Sequence, residues 1–301
     1  MEEKEEKHLK LEPGKTYFFI CFALVCGGKS TFFEQIKSQT ETEKNKGKYN
    51  IKLISSDKIR EDLSNQMQKS NPKMTFQQCF DKVGKETAKE FDTQIKNAID
   101  TIEKDKINII LVDKNYPQGI DKFLKTFCTD KTSQFFLVFI PSIENPIKIN
   151  DLNFPFSLDY FIQCYLRLKN RKEHEVLKGQ DESSIYVYLS FFKLFQNFDF
   201  EKKINSNEEF NNNVILHKIN FTDEDKKIKI DSNTEKFFKN VIKKMRPFDM
   251  FAIKKYHKKD IENYFKKIDE QYDGKNFFED TRGLIKAEVE DLLENGIIYN
   301  K

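Results

Sequence analysis

Tryptophan is absent from this chain, no apolar run approaches the length of a bilayer span, and no two cysteines stand in a C-x-x-C spacing. Each absence narrows the class. Without a long apolar stretch, and with a charged MEEKEEKHLK start in place of an apolar signal core, the sequence predicts a soluble intracellular protein, cytoplasmic or nuclear, with no membrane partner. The five scattered cysteines (Cys21, Cys26, Cys79, Cys128, Cys164) fit a reducing compartment and argue against structural zinc. A charge imbalance is lacking as well. Lys and Arg number 52 against 49 Asp and Glu, a net charge of +3, so any nucleic-acid contact must come from a local patch. The 30 phenylalanines and the abundance of Lys, Asn and Ile read as AT-rich coding, which lowers the weight of any single lysine cluster.

What is present begins with Ala23-Leu-Val-Cys-Gly-Gly-Lys-Ser-Thr31. Before it, Thr16–Val25 is uncharged and rich in aromatic and β-branched residues, which predicts a buried strand; after it, Phe32–Lys37 begins a helix. Strand, glycine loop and helix is the context in which Gly-Lys-Ser/Thr reads as a P-loop. Gly27 and Gly28 would let backbone N–H groups face phosphate oxygens, and the following helix would add its positive dipole end. Lys29 would reach the β/γ-phosphates, Ser30 would ligate Mg²⁺, and Thr31 closes the motif. Ala23 stands where the general pattern has its first glycine. A chance Gly-Gly-Lys-Ser in a lysine-rich chain is the competing explanation.

Three further places carry chemistry. Asp57, after the strand predicted at Tyr49–Ser55, would face the loop, where a carboxylate can take the proton of an attacking hydroxyl. Arg60, one helical turn on, is placed to hold a substrate phosphate. An ordinary N-cap and an ordinary surface charge are the alternatives. Asp113 ends the strand predicted at Ile107–Asp113, where an acid can stand near Mg²⁺, although a strand-terminal Asp also makes turns. Arg167 and Arg171 share a helical face and could clamp a triphosphate; a solvated basic face is the alternative that spacing favours. Lys243–Lys259 mixes seven basic residues with Phe248, Phe251, Tyr256 and His257, which suits an RNA surface or an amphipathic helix packed on the core.

The organisation predicted is an α/β P-loop kinase fold, a parallel sheet flanked by helices, with a helical, charged C-terminal extension. Residues 1–14 read as a disordered lead, 15–222 as the kinase domain and 223–301 as the extension packed on it. Strands are expected at Thr16–Val25, Tyr49–Ser55, Ile107–Asp113, Gln134–Ile140 and Val214–Asn220. One long helix is expected over Thr75–Lys104 and another from Leu158 to about Lys172, with polar loops at Glu201–Asn213 and Asp223–Asn233.

Together these pieces resemble the polynucleotide kinase module of fungal and plant tRNA ligases. The alanine-led loop Ala23–Thr31, the Asp113-Lys114-Asn115 segment, and Pro155-Phe-Ser-Leu-Asp159 with Arg167, Arg171 and His174 after it are similar to that family's motifs in order and spacing. The resemblance covers about Thr16–Leu177. It implies transfer of the γ-phosphoryl group of ATP or GTP, with Mg²⁺, to the 5′-hydroxyl of RNA, such as a tRNA exon. It further implies Asp57 as general base, Arg60 on the phosphate 3′ to the acceptor, and Arg167 and Arg171 as lid arginines on the donor. It assigns no chemistry to His174. The chain has no Lys-x-[Asp/Asn]-Gly ligase nucleophile and no paired His-x-Thr motifs. The resemblance therefore implies a free-standing kinase, with sealing left to separate ligase and phosphodiesterase proteins. A small-molecule P-loop kinase and a non-catalytic nucleotide-binding scaffold remain the other two readings.

Overall fold

The computed structural model describes residues 7–115, 119–149, 152–171, 182–205, 212–221, 232–244, 250–272 and 276–299, with the backbone alone at 7, 149, 152, 182–183, 204–205, 234, 242, 244, 250–258 and 276–280. In chain order the first half contains β1 (Lys7–Leu9), β2 (Thr16–Cys21), α1 (Lys29–Thr40), β3 (Tyr49–Ser55), α2 (Ser56–Ser70), α3 (Phe76–Lys82), α4 (Gly84–Asp100) and β4 (Ile107–Asp113). Then come α5 (Ile120–Phe127), β5 (Gln134–Pro141), β6 (Ile147–Ile149), β7 (Leu152–Phe154), α6 (Leu158–Lys169) and α7 (Glu182–Leu194). The remainder is α8 (Phe200–Asn205), β8 (Val214–Ile219), α9 (Ser232–Lys244), α10 (Met250–Gln271), α11 (Asn276–Asn295) and β9 (Ile297–Tyr299).

Five strands form one parallel sheet in the order β3-β4-β2-β5-β8, flanked by helices. A parallel sheet covered on both faces needs strands without a polar side. The sequence supplies them: every residue of β2 is buried, as is all of β4 except Asp113. Phenylalanine takes the role that other proteins share with tryptophan. Phe18 of β2 lies in register with Phe136 of β5, their rings stacked at 4.5 Å, and Phe32 of α1 closes on Phe139 at 4.6 Å. The connections leaving the neighbours β2 and β5 run toward opposite edges, which opens a crevice beyond their carboxyl ends. Ala23–Thr31, Asp57 and Asp113 all lie at that end.

Several expected boundaries shift. β2 stops at Cys21 rather than Val25, because Phe22 makes the last ladder contact with the Phe139 carbonyl and the Gly27 amide then closes a turn on Leu24. The helix expected over Thr75–Lys104 is two, broken at Val83 ahead of Gly84; Thr75 and Gln78 cap the first with a reciprocal capping box. Phe200–Asn205, expected as loop over most of its length, is helical. Residues expected as a disordered lead contain β1, which pairs antiparallel with β9 at the far end of the chain. Gly296 makes that return possible. Its φ of 82° is left-handed, and a side chain there would collide with the Leu9 carbonyl.

α6 is apolar nearly all round, and every residue from Tyr160 to Leu168 is buried. It packs against α7 and α11, and α11 packs in turn on α1. The C-terminal helix α11 thus closes over the same end of the sheet that carries the glycine loop. No helix among the described residues is long and apolar enough to cross a membrane.

Candidate functional site

The Ala23–Thr31 loop leaves the central strand and turns into α1 through two unusual residues. Cys26 has φ 61° and Gly28, the N-cap, has φ 105°, so the backbone is left-handed twice within three residues. Gly28 has no side chain to cap the helix, and the first turn holds no acidic residue. Elsewhere in the chain Ser55, Thr75 and Ser157 cap their helices by accepting backbone N–H bonds. At α1 no side chain caps the first amide groups, for which an anion is a natural partner.

The loop is held from beneath by α6. The Tyr160 hydroxyl donates to the Gly27 carbonyl at 3.3 Å, and burial pushes that hydroxyl's pKa far up, so it stays a donor. A Cβ on Gly27 would collide with this hydroxyl and stand 2.9 Å from the Leu24 carbonyl and 3.0 Å from Cβ of Ala23. Ala23 is fully buried, and its methyl fits because position 27 has none. The Pro155–Asp159 motif therefore matters through its neighbour Tyr160. Ser157 caps α6 by accepting the Tyr160 amide at 3.1 Å and so delivers Tyr160 to the loop.

Charged groups converge here. Lys29 pairs with Asp113 across the loop. Burial lowers the Lys29 pKa, Asp57 pulls it back up as its strongest charged influence, and Arg171 lowers it again. Asp57 lies exposed in the first turn of α2, with Ser55 as the N-cap two residues before it. Ser30 is exposed and Thr31 half-buried in the first turn of α1. Arg171 sets Nη1 at 3.7 Å from Sγ of Cys26. Burial raises the Cys26 thiol, so it is not a ready thiolate.

Arg167 is not on a solvated face. It is 2% exposed, and Nη2 donates to the Phe221 carbonyl at 3.1 Å and to the Thr281 hydroxyl. Its Nε and Nη1 are buried with no hydrogen-bond partner, as is Oδ1 of Asn115 two residues after Asp113. Unpaired buried guanidinium donors are costly and ask for an anion.

Arg60 goes elsewhere. Its Nε and Nη2 both donate to the Phe80 carbonyl, at 3.0 and 2.9 Å, and the guanidinium lies 3.8 Å over the Phe80 ring. In this state it fastens α2 to α3. His174 lies outside the described residues. So do the side chains of most of the Lys243–Lys259 segment, of which Lys243 and Lys259 are exposed at its two ends.

Among the described residues no group of three or more His, Cys, Asp or Glu could hold a metal ion by itself. The oxygen donors at the loop are the Ser30 hydroxyl and the Asp57 and Asp113 carboxylates, a sparse hard set of the kind that holds Mg²⁺ together with a ligand's phosphates. Sequence reasoning missed Tyr160 and Thr281. Neither has a motif of its own, since one lies under the loop and the other arrives from the far end of the chain. No protein-family model matches the chain, and no curated protein gives a match to it.

Proposed function

We propose that this protein is a P-loop RNA 5′-hydroxyl kinase, which moves the γ-phosphoryl group of ATP or GTP to the 5′ end of an RNA such as a tRNA fragment. The observation that carries the donor half is the meeting of three anion-seeking features at one end of the sheet: the uncapped N-terminus of α1, Lys29, and the buried, unpaired donors of Arg167. The acceptor half rests on Asp57 at the crevice mouth and on the likeness of the motif set to the tRNA-ligase kinases. A phosphate chain on the loop would draw Lys29 from Asp113. Ser30 and Asp113 would hold Mg²⁺, which would neutralise charge on the donor phosphates. Asp57 would take the proton of the attacking hydroxyl, and Arg167 and Arg171 would offset charge on the transferred group.

One observation favours a small-molecule acceptor. Arg60, which an RNA acceptor would need, is committed to Phe80. Initial rates with Mg²⁺, γ-labelled ATP or GTP, and either 5′-hydroxyl RNA or a panel of small hydroxyl compounds separate the two. Label on RNA, reduced at least about 100-fold in Asp57→Ala, is the expected result. Label on a small compound alone would move the assignment to a metabolite kinase. Nucleotide binding without turnover on any acceptor would make it a scaffold.

A further inference from the structure

We infer that the C-terminal helix α11 completes the donor site, with Thr281 as the positioning residue for Arg167. The inference rests on the donor-site reading above and adds to it a residue 114 positions from the arginine it serves.

A guanidinium carries five N–H donors in a rigid plane. Two acceptors, the Phe221 carbonyl after β8 and the Thr281 hydroxyl on α11, both lie on Nη2 of Arg167. They fix the plane and account for the hydrogens of that nitrogen, which leaves the Nε and Nη1 hydrogens, on either side of it, as the unpaired donors. Thr281 is itself buried, at 5% exposed. The same face of α11 also meets the loop. A Cβ built on Gly28 would lie 3.3 Å from Cδ1 of Ile285 and 3.7 Å from Cγ2 of Thr281, so residues one turn apart touch the N-cap of α1 and clamp Arg167. Farther along, Glu288 accepts the Asn220 amide at 2.9 Å, and β9 pairs with β1. The helix is thereby registered against the end of β8, the glycine loop and α6 at once. Packing alone would account for Ile285. It does not account for a hydroxyl placed on one nitrogen of a buried arginine whose remaining donors are unpaired.

Thr281→Val keeps the shape and removes the acceptor; Thr281→Ser keeps the hydroxyl. The expected result is a fall of about tenfold in the single-turnover transfer rate of the full-length Val variant, with acceptor KM within about twofold and the Ser variant within about threefold of wild type. In an Arg167→Lys background the same Val substitution should change the rate less than about twofold, because the group it positions is gone. A general loss of packing would instead lower rate and melting temperature equally in both backgrounds. Wild-type rates in Thr281→Val, or an equal loss in both backgrounds, would overturn the inference while leaving the donor site standing. If the Val variant does not fold, Thr281→Ala makes the same comparison. A wild-type protein that neither binds nucleotide nor transfers label would instead remove the donor-site reading, and this inference with it.

Discussion

Gly27→Ala isolates the support under the glycine loop, because the backbone at Gly27 is not left-handed and the added methyl changes only packing. That methyl would collide with the Tyr160 hydroxyl and press the Leu24 carbonyl at 2.9 Å. Tyr160 cannot move aside easily: it is 2% exposed, and its ring lies 5.5 Å from that of Phe156. Overpacking of this kind costs about 1–3 kcal/mol. At about 1.6 °C per kcal/mol for a chain of 301 residues, the middle of that range gives a fall of about 3 °C in Tm. Tyr160→Phe alone loses one hydrogen bond and should cost about 1 kcal/mol. In the double variant the colliding oxygen is gone, so the two costs should fall short of their sum by at least about 1 kcal/mol, with the Leu24 contact left as the remainder. Chemical denaturation of the four proteins measures this, and titration with a fluorescent nucleotide measures the loop itself. Binding should weaken in Gly27→Ala and partly recover in the double variant. Strict additivity in both assays would refute this picture of how α6 holds the loop.

Arg60→Ala should lower stability by about 1–2 kcal/mol, since two charged hydrogen bonds to Phe80 and a cation–π contact are lost together; an unchanged Tm with a raised acceptor KM would show that Arg60 serves the acceptor instead. Burial raises Glu288 from its ordinary 4.5 to about 7, opposed by the Asn220 amide and helped by Asp291. An acid whose folded pKa is raised stabilises the fold fully below its unfolded value and loses that contribution as pH climbs to its folded one. Tm should therefore fall from pH 4.5 to about 7 through this group. Glu288→Gln, which keeps an acceptor for Asn220, should flatten that part of the profile; an identical profile in the variant would contradict it.

How legible all this was depends on the distance over which each feature is encoded. The sheet was readable because most of its strands are continuous apolar runs, and β3 and β4 fall on the residues their patterns predict. The loop was readable because glycine, lysine and hydroxyl at fixed spacing have a local backbone meaning. The break at Val83 was hidden because apolar periodicity continues across it while one glycine weakens the helix. The burial of Arg167 was hidden for a different reason. Its i, i+4 partnership with Arg171 describes an isolated helix, and α6 is instead enclosed by elements from distant parts of the chain. The Tyr160–Gly27 and Arg167–Thr281 contacts join residues 133 and 114 positions apart, and the β1–β9 pair joins the two ends of the described chain. No local pattern carries that information.

The proposed kinase would hold a nucleoside triphosphate in the crevice above β2 and pass its γ-phosphoryl group to an RNA 5′-hydroxyl. The most direct measurement incubates the full-length protein with Mg²⁺, γ-labelled ATP or GTP and a short 5′-hydroxyl RNA, beside Lys29→Ala and Asp57→Ala. The expected result is label at the RNA 5′ end in the wild type, near-complete loss in both variants, and nucleotide binding retained in Asp57→Ala alone. Full transfer in either variant, or label anywhere other than the 5′ end, would contradict the claim.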